Sequence, residues 1–133
     1  MDKVNFFLAS LFAATAVAAG AFGAHGLQRL TAEATVIQTY QTAVQYHFWH
    51  AIALLLAGLL APYGKPQLNY WARQSFLAGL ICFSGSLYLL TYLRLQQLLS
   101  FKWIVFINPI GGILLIMGWV LLGFSFTSFK QSN

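Results

Sequence analysis

Four long apolar runs stand out along the chain, at residues 6–24, 46–61, 72–93 and 103–126. A helix needs about 20 such residues to cross the hydrocarbon core of a bilayer. The pattern therefore predicts an all-α four-helix transmembrane bundle, with spans at about 5–25, 46–62, 71–93 and 105–127. Between the first two runs the pattern changes. Val36, Ile37, Tyr40, Val44 and His47 recur at helical spacing, with Gln38, Gln41, Thr42 and Gln45 between them, which makes residues 31–45 an amphipathic stripe. No Gly or Pro occurs from Thr31 to Ala57. That favours a continuous rod, in which the stripe extends the second membrane helix outward, over a separate helix lying in the interface.

Punctuation residues set the expected ends. Gly26 is expected to give the first helix a left-handed stop, with His25 in the last turn near the orphan carbonyls. Thr31 reads as an N-cap with Glu33 in the following first turn, and Pro62, Gly64 and Pro66 end the second helix. Tyr70, Trp71 and Arg73 read as an interfacial entrance to the third. Asn108-Pro109 suits a cap and a first turn. The main fourth helix is therefore expected from Pro109 to about Phe126 with 103–107 at the interface, the alternative being one helix kinked at Pro109.

Composition narrows the class. The 133 residues are 59% hydrophobic and 7% charged, against roughly a quarter charged in an average soluble domain, so one integral membrane domain accounts for residues 1–133. The net charge of +5 comes from Lys3, Arg29, Lys65, Arg73, Arg94, Lys102 and Lys130. All seven flank apolar runs and read as headgroup anchors, and no nucleic acid partner is expected. Four spans put Lys3, Lys65, Arg73 and Lys130 on one side and Arg29, Arg94 and Lys102 on the other. The excess of one leans both termini toward the cytoplasm. Lys3 ahead of an apolar stretch and Ala16-Val17-Ala18 match a secretory leader in outline, but the first run is read as a retained helix. Cys82, the single cysteine, is expected to be an inert buried thiol.

The chemistry-bearing residues form a polar layer: His25, His47, His50, Gln45, Ser84, Ser86 and Tyr88. His47 and His50 are three apart, which on a helix turns both rings toward one face. Small residues supply the packing faces. Gly20 and Gly23 let a neighbour approach the first helix, Gly85 does so on the third, and Gly111, Gly112 and Gly118 line the fourth.

Taken in order, Gly20-Ala-Phe-Gly-Ala-His-Gly26, Tyr46-His47-x-x-His50-Ala51-x-Ala53-Leu54, Phe83-Ser-Gly-Ser-Leu-Tyr88, Pro109-Ile-Gly-Gly112 and Gly118-Trp119 resemble the domain of unknown function 423 family. These are small bacterial inner-membrane proteins related to the animal transmembrane protein 256. The resemblance covers most of the chain and implies a four-helix membrane protein. It marks His25, His50, Ser84, Gly85, Tyr88, Pro109, Gly111, Gly112 and Trp119 as the family's polar and packing positions.

Three functional readings compete. The first is an accessory or scaffold component of a membrane assembly, as a homo-oligomer or within a larger complex, in which the polar layer is interhelical glue. The second is metal or haem binding at His25, His47 and His50, against which Asp2 and Glu33 are peripheral and Cys82 lies on another helix; no cofactor is predicted. The third is solute, proton or lipid handling, against which no charged residue lies at the centre of a span. No nucleophile–base constellation or phosphate-cradling loop points to an enzyme.

Overall fold

A computed structural model describes residues 3–98 and 103–127. Asp2, Lys102, Lys130 and residues 99–102 of the last connection lie outside that range. Four helices, each long and apolar enough to cross a membrane, make up the fold. They are α1 (Lys3–Phe22), α2 (Ala34–Leu60), α3 (Pro66–Leu95) and α4 (Ile104–Ser125). Each packs on its neighbour in the chain: α1 on α2, α2 on α3, α3 on α4. The central pair α2 and α3 is the most buried, while α1 and α4 expose most of their surface, as helices facing lipid do.

The end of α1 differs from the expected stop. No glycine among the described residues has a positive φ. The helix instead widens into a π turn, Gly23–Leu27, and finishes with Gln28–Leu30. The glycines here serve close approach: a Cβ on Gly23 would lie 2.7 Å from the Tyr40 ring, and one on Gly26 would lie 2.6 Å from the Phe22 ring. Thr31, extended at φ −153°, closes the segment.

The stripe at 31–45 and the second span are one helix, as the missing Gly and Pro implied. Its 27 residues reach about 40 Å at 1.5 Å per residue, so its polar start stands beyond a hydrocarbon core of about 30 Å. The cap sits two residues later than expected. Glu33 is the N-cap residue, and Thr31 Oγ1 accepts its N–H at 3.1 Å while the Thr35 hydroxyl donates to Glu33 Oε1 at 2.7 Å. Thr31 thus shapes the turn before the helix instead of capping it.

Pro66 begins α3, where its fixed φ is pre-organised and its missing N–H costs nothing, so this helix starts five residues before the expected span. It ends in a Schellman motif: Leu98 N–H donates to Leu93 C=O at 2.9 Å and Gln97 N–H to Arg94 C=O at 3.0 Å. Gln97 holds the left-handed position, φ 57°, that glycine usually fills. In α4, Pro109 lies inside the helix, so Asn108 is not a cap. The expected start at Pro109 is corrected to Ile104, because the Asn108 amide reaches across to α3 and leaves the helix to run on.

Glycines seat α4 on α3. A Cβ on Gly111 would stand 2.5 Å from Phe83 N, and one on Gly118 would stand 2.6 Å from the Phe76 ring; Gly79 of α3 meets Leu115 in the same way. The fourth-helix glycine face therefore lies inside the bundle. Gly20 and Gly112 make only ordinary contacts, with Val44 and Phe83, and Gly85 faces open space, so no neighbouring helix makes the expected approach there.

Candidate functional site: a polar layer and two clefts

Side-chain amides link all three helix pairs. Asn5 of α1 donates to the Leu54 carbonyl at 3.1 Å, and Asn69 of α3 to the Ala57 carbonyl at 2.9 Å. Asn108 of α4 donates to the Phe83 carbonyl and to Ser86 Oγ, each at 3.4 Å. A helical carbonyl already accepts its own N–H but keeps a second lone pair, which is what each amide uses. The sequence reading passed over all three. The signal was there, since an asparagine in an apolar run must find a partner in lipid.

His47 and His50 leave α2 toward different neighbours. His47 lies between α1 and α3, its Nδ1 3.1 Å from the Tyr88 hydroxyl and its Nε2 3.5 Å from Thr15 Oγ1. Thr15 has committed its hydrogen to the Leu11 and Phe12 carbonyls, at 2.9 and 3.0 Å. Its oxygen can then only accept, which puts the imidazole hydrogen on Nε2 and makes Tyr88 the donor to Nδ1. At 3.5 Å the threonine contact is weak, so Tyr88 is the main partner.

His50 has the opposite tautomer. The Trp119 indole N–H donates to its Nε2 at 3.3 Å, so the hydrogen is on Nδ1, which donates to the Tyr46 carbonyl at 2.8 Å. Tyr46 stacks on the ring with centroids 5.7 Å apart, and Phe76 and Trp119 meet edge to face at 5.1 Å. Both ring nitrogens of His50 are thus occupied within the chain.

His25 is exposed in the π turn, and among the described residues no three His, Cys, Asp or Glu side chains group together. The three histidines do not converge. Ser86 donates to the Phe83 carbonyl at 2.9 Å as it accepts from Asn108, joining α3 to α4 as expected. Ser84 Oγ is buried with no hydrogen-bond partner, which nothing in the structure explains. Gln45 is exposed.

Two clefts flank this layer. One, of about 440 Å³, is lined by Gln45, Tyr46, Trp49, His50, Ala53, Leu56 and Trp119. It lies between α2 and α4, which do not pack closely, and the Trp119–His50 bond bridges it near mid-membrane. The other, of about 350 Å³, opens where α1, α2 and α3 meet at the end bearing the π turn. Phe22, Leu27, Tyr40, Tyr88, Thr91 and Tyr92 contribute to its wall. Tyr40 and Thr91 were absent from the expected site.

Comparison with known proteins agrees with this architecture. Residues 19–112 match the family described as "Protein of unknown function (DUF423)". A UPF0382 membrane protein of Staphylococcus aureus (strain bovine RF122 / ET3-1) is 39% identical over 121 residues, 90% of this chain and 92% of its own. The UPF0382 membrane protein YwdK of Bacillus subtilis (strain 168) is 35% identical, covering 90% and 93%. A UPF0382 membrane protein of Haemophilus influenzae is 38% identical, covering 88% and 86%. No solved structure matches.

Proposed function

The chain belongs to the DUF423 family, and on that premise we propose that this multi-pass membrane protein is an accessory component whose α2/α4 groove receives a transmembrane helix of a partner. The carrying observation is that groove. It is a concave apolar surface at bilayer depth, walled by Trp49, exposed by 58%, and Trp119, exposed by 47%, with the small Ala53 among its lining residues. Large aromatic walls around a small residue suit a knob from another helix.

The polar layer supports the same reading. Both His50 nitrogens, the Tyr88 hydrogen and the Asn5, Asn69 and Asn108 amides are engaged within the chain, which fits helix glue better than a reacting site. The helical architecture fits a bacterial inner membrane, since outer-membrane spans are β-barrels, and the cation asymmetry leans both termini to the cytoplasm.

A photo-crosslinking residue at Leu56, in the groove, tests the proposal against one at Ile113, on the lipid side of α4 and 59% exposed. In cells, Leu56 is expected to give one discrete adduct with a second polypeptide, and Ile113 none. Adducts of equal yield from both positions, or none from either, would overturn the accessory role.

A further inference from the structure

The cleft beside the π turn has a wall whose hydrogen-bonding character is one-sided. The Tyr40 hydroxyl donates to the Ala19 carbonyl at 2.8 Å, and Thr91 Oγ1 donates to the Leu87 carbonyl at 2.9 Å. Tyr88 donates to His47 Nδ1, by the tautomer argument above. Each of these three hydroxyls has committed its single hydrogen and keeps lone pairs that can only accept. All three residues line the cleft.

The rest of the wall is aromatic and aliphatic. Phe22 meets Tyr40 edge to face at 6.0 Å, and Tyr40 meets Tyr88 likewise at 5.3 Å. Such a corner accepts a further flat ring against a face or an edge. Leu27, Leu30, Tyr92 and Leu95 complete it, and Leu30 and Tyr92 are exposed, so the cleft is open to an occupant arriving from lipid. One side is formed by the end of α1 that includes Leu27 of the π turn, and π turns are frequent at functional sites.

We propose that this cleft binds a membrane-borne hydroquinone, a flat ring that donates O–H groups to the lone pairs of Tyr40, Tyr88 and Thr91. Its volume of about 350 Å³ lies at the small end of ligand sites, enough for one ring while any tail remains in lipid. The oxidised quinone offers only acceptors, so its carbonyls would face the three oxygens with no hydrogen between them. The cleft therefore discriminates by donor count, and no redox step within this protein is implied. The site is separate from the α2/α4 groove, and its occupancy does not depend on a partner.

Anaerobic titration calorimetry of the full-length protein in lipid nanodiscs, with duroquinol and duroquinone as probes, tests the assignment. Duroquinol is expected to bind at least about tenfold more tightly than duroquinone, the worth of one well-made hydrogen bond. Tyr88→Phe should weaken duroquinol about tenfold and leave duroquinone unchanged, and Leu30→Trp should reduce both by filling the mouth. Should Tyr88→Phe fail to fold, Thr91→Val carries the same expectation. Equal affinities, no binding of duroquinol to the parent protein, or binding unaffected by Leu30→Trp would each overturn the site.

Discussion

Replacing Gly111 by alanine tests the contact on which α3 and α4 are seated. The added methyl would stand 2.5 Å from Phe83 N, 2.8 Å from Phe83 Cα and 2.9 Å from the Cys82 carbonyl carbon. Carbon atoms rest at about 3.5–4 Å, and all three neighbours are backbone, so no side-chain rotation relieves the overlap. The two helices must separate. Overpacking of this kind costs about 1–3 kcal/mol, while alanine is better than glycine in a helix by about 1 kcal/mol, so the two effects oppose each other. Gly85→Ala is the proper reference, because a Cβ there meets nothing within 4 Å and only the propensity gain applies. Taking the difference between the variants cancels the propensity and leaves about 1–3 kcal/mol of overpacking. Reversible unfolding in mixed detergent–lipid micelles measures both. Gly85→Ala should be at least as stable as the parent and Gly111→Ala clearly less stable than Gly85→Ala; equal stabilities would refute the close backbone contact.

Gln97→Gly should stabilise the chain by about 1 kcal/mol, since a side chain in the left-handed conformation costs about that much, and a lower unfolding midpoint would count against the Schellman end of α3. A Cβ on Gly58 would collide with the Asn5 amide, so Gly58→Ala should be costly alone and milder in an Asn5→Ala background, with a coupling of about 0.5–3 kcal/mol; strict additivity in the unfolding cycle would rule the contact out. Trp119→Phe keeps a ring against Phe76 but removes the donor to His50 Nε2, and should lower stability by about 0.6–2 kcal/mol. No change in that variant would mean the indole bond is not made in the membrane.

The four spans were legible because an apolar run of membrane length has few alternatives, and the long second helix because a missing Gly or Pro is a local signal. What escaped was set by neighbours in space. Gly26 reads as a stop in isolation, but the Phe22 ring over it and the Tyr40 ring over Gly23 turn the same glycines into a widened turn. Asn108 before Pro109 has the form of a cap, yet its amide is engaged across α3 at Phe83 and Ser86. The spacing of His47 and His50 places both on the buried side of α2, but their partners, Tyr88 on α3 and Trp119 on α4, lie 41 and 69 residues away, and no pattern within one helix reveals them. The outward position of Gly85, against the inward positions of Gly111 and Gly118, likewise depends on where α4 crosses α3.

The succession of helices, each resting on the one made just before it, bears on how the chain is assembled. As each segment leaves the ribosome and enters the bilayer, its main docking surface is already in place, so insertion and packing can proceed together with little search. Few contacts wait for the end. The bond from Lys65 N–H to the Ser125 carbonyl at 2.9 Å and the one from Trp119 to His50 must, since both need the far half of α4. A chain stalled before that half is inserted would hold α1, α2 and α3 together while His50 still lacked its indole donor. Formation of the Trp119–His50 bond thus reports that synthesis and insertion are complete, and it closes across the same groove that is proposed to admit a partner.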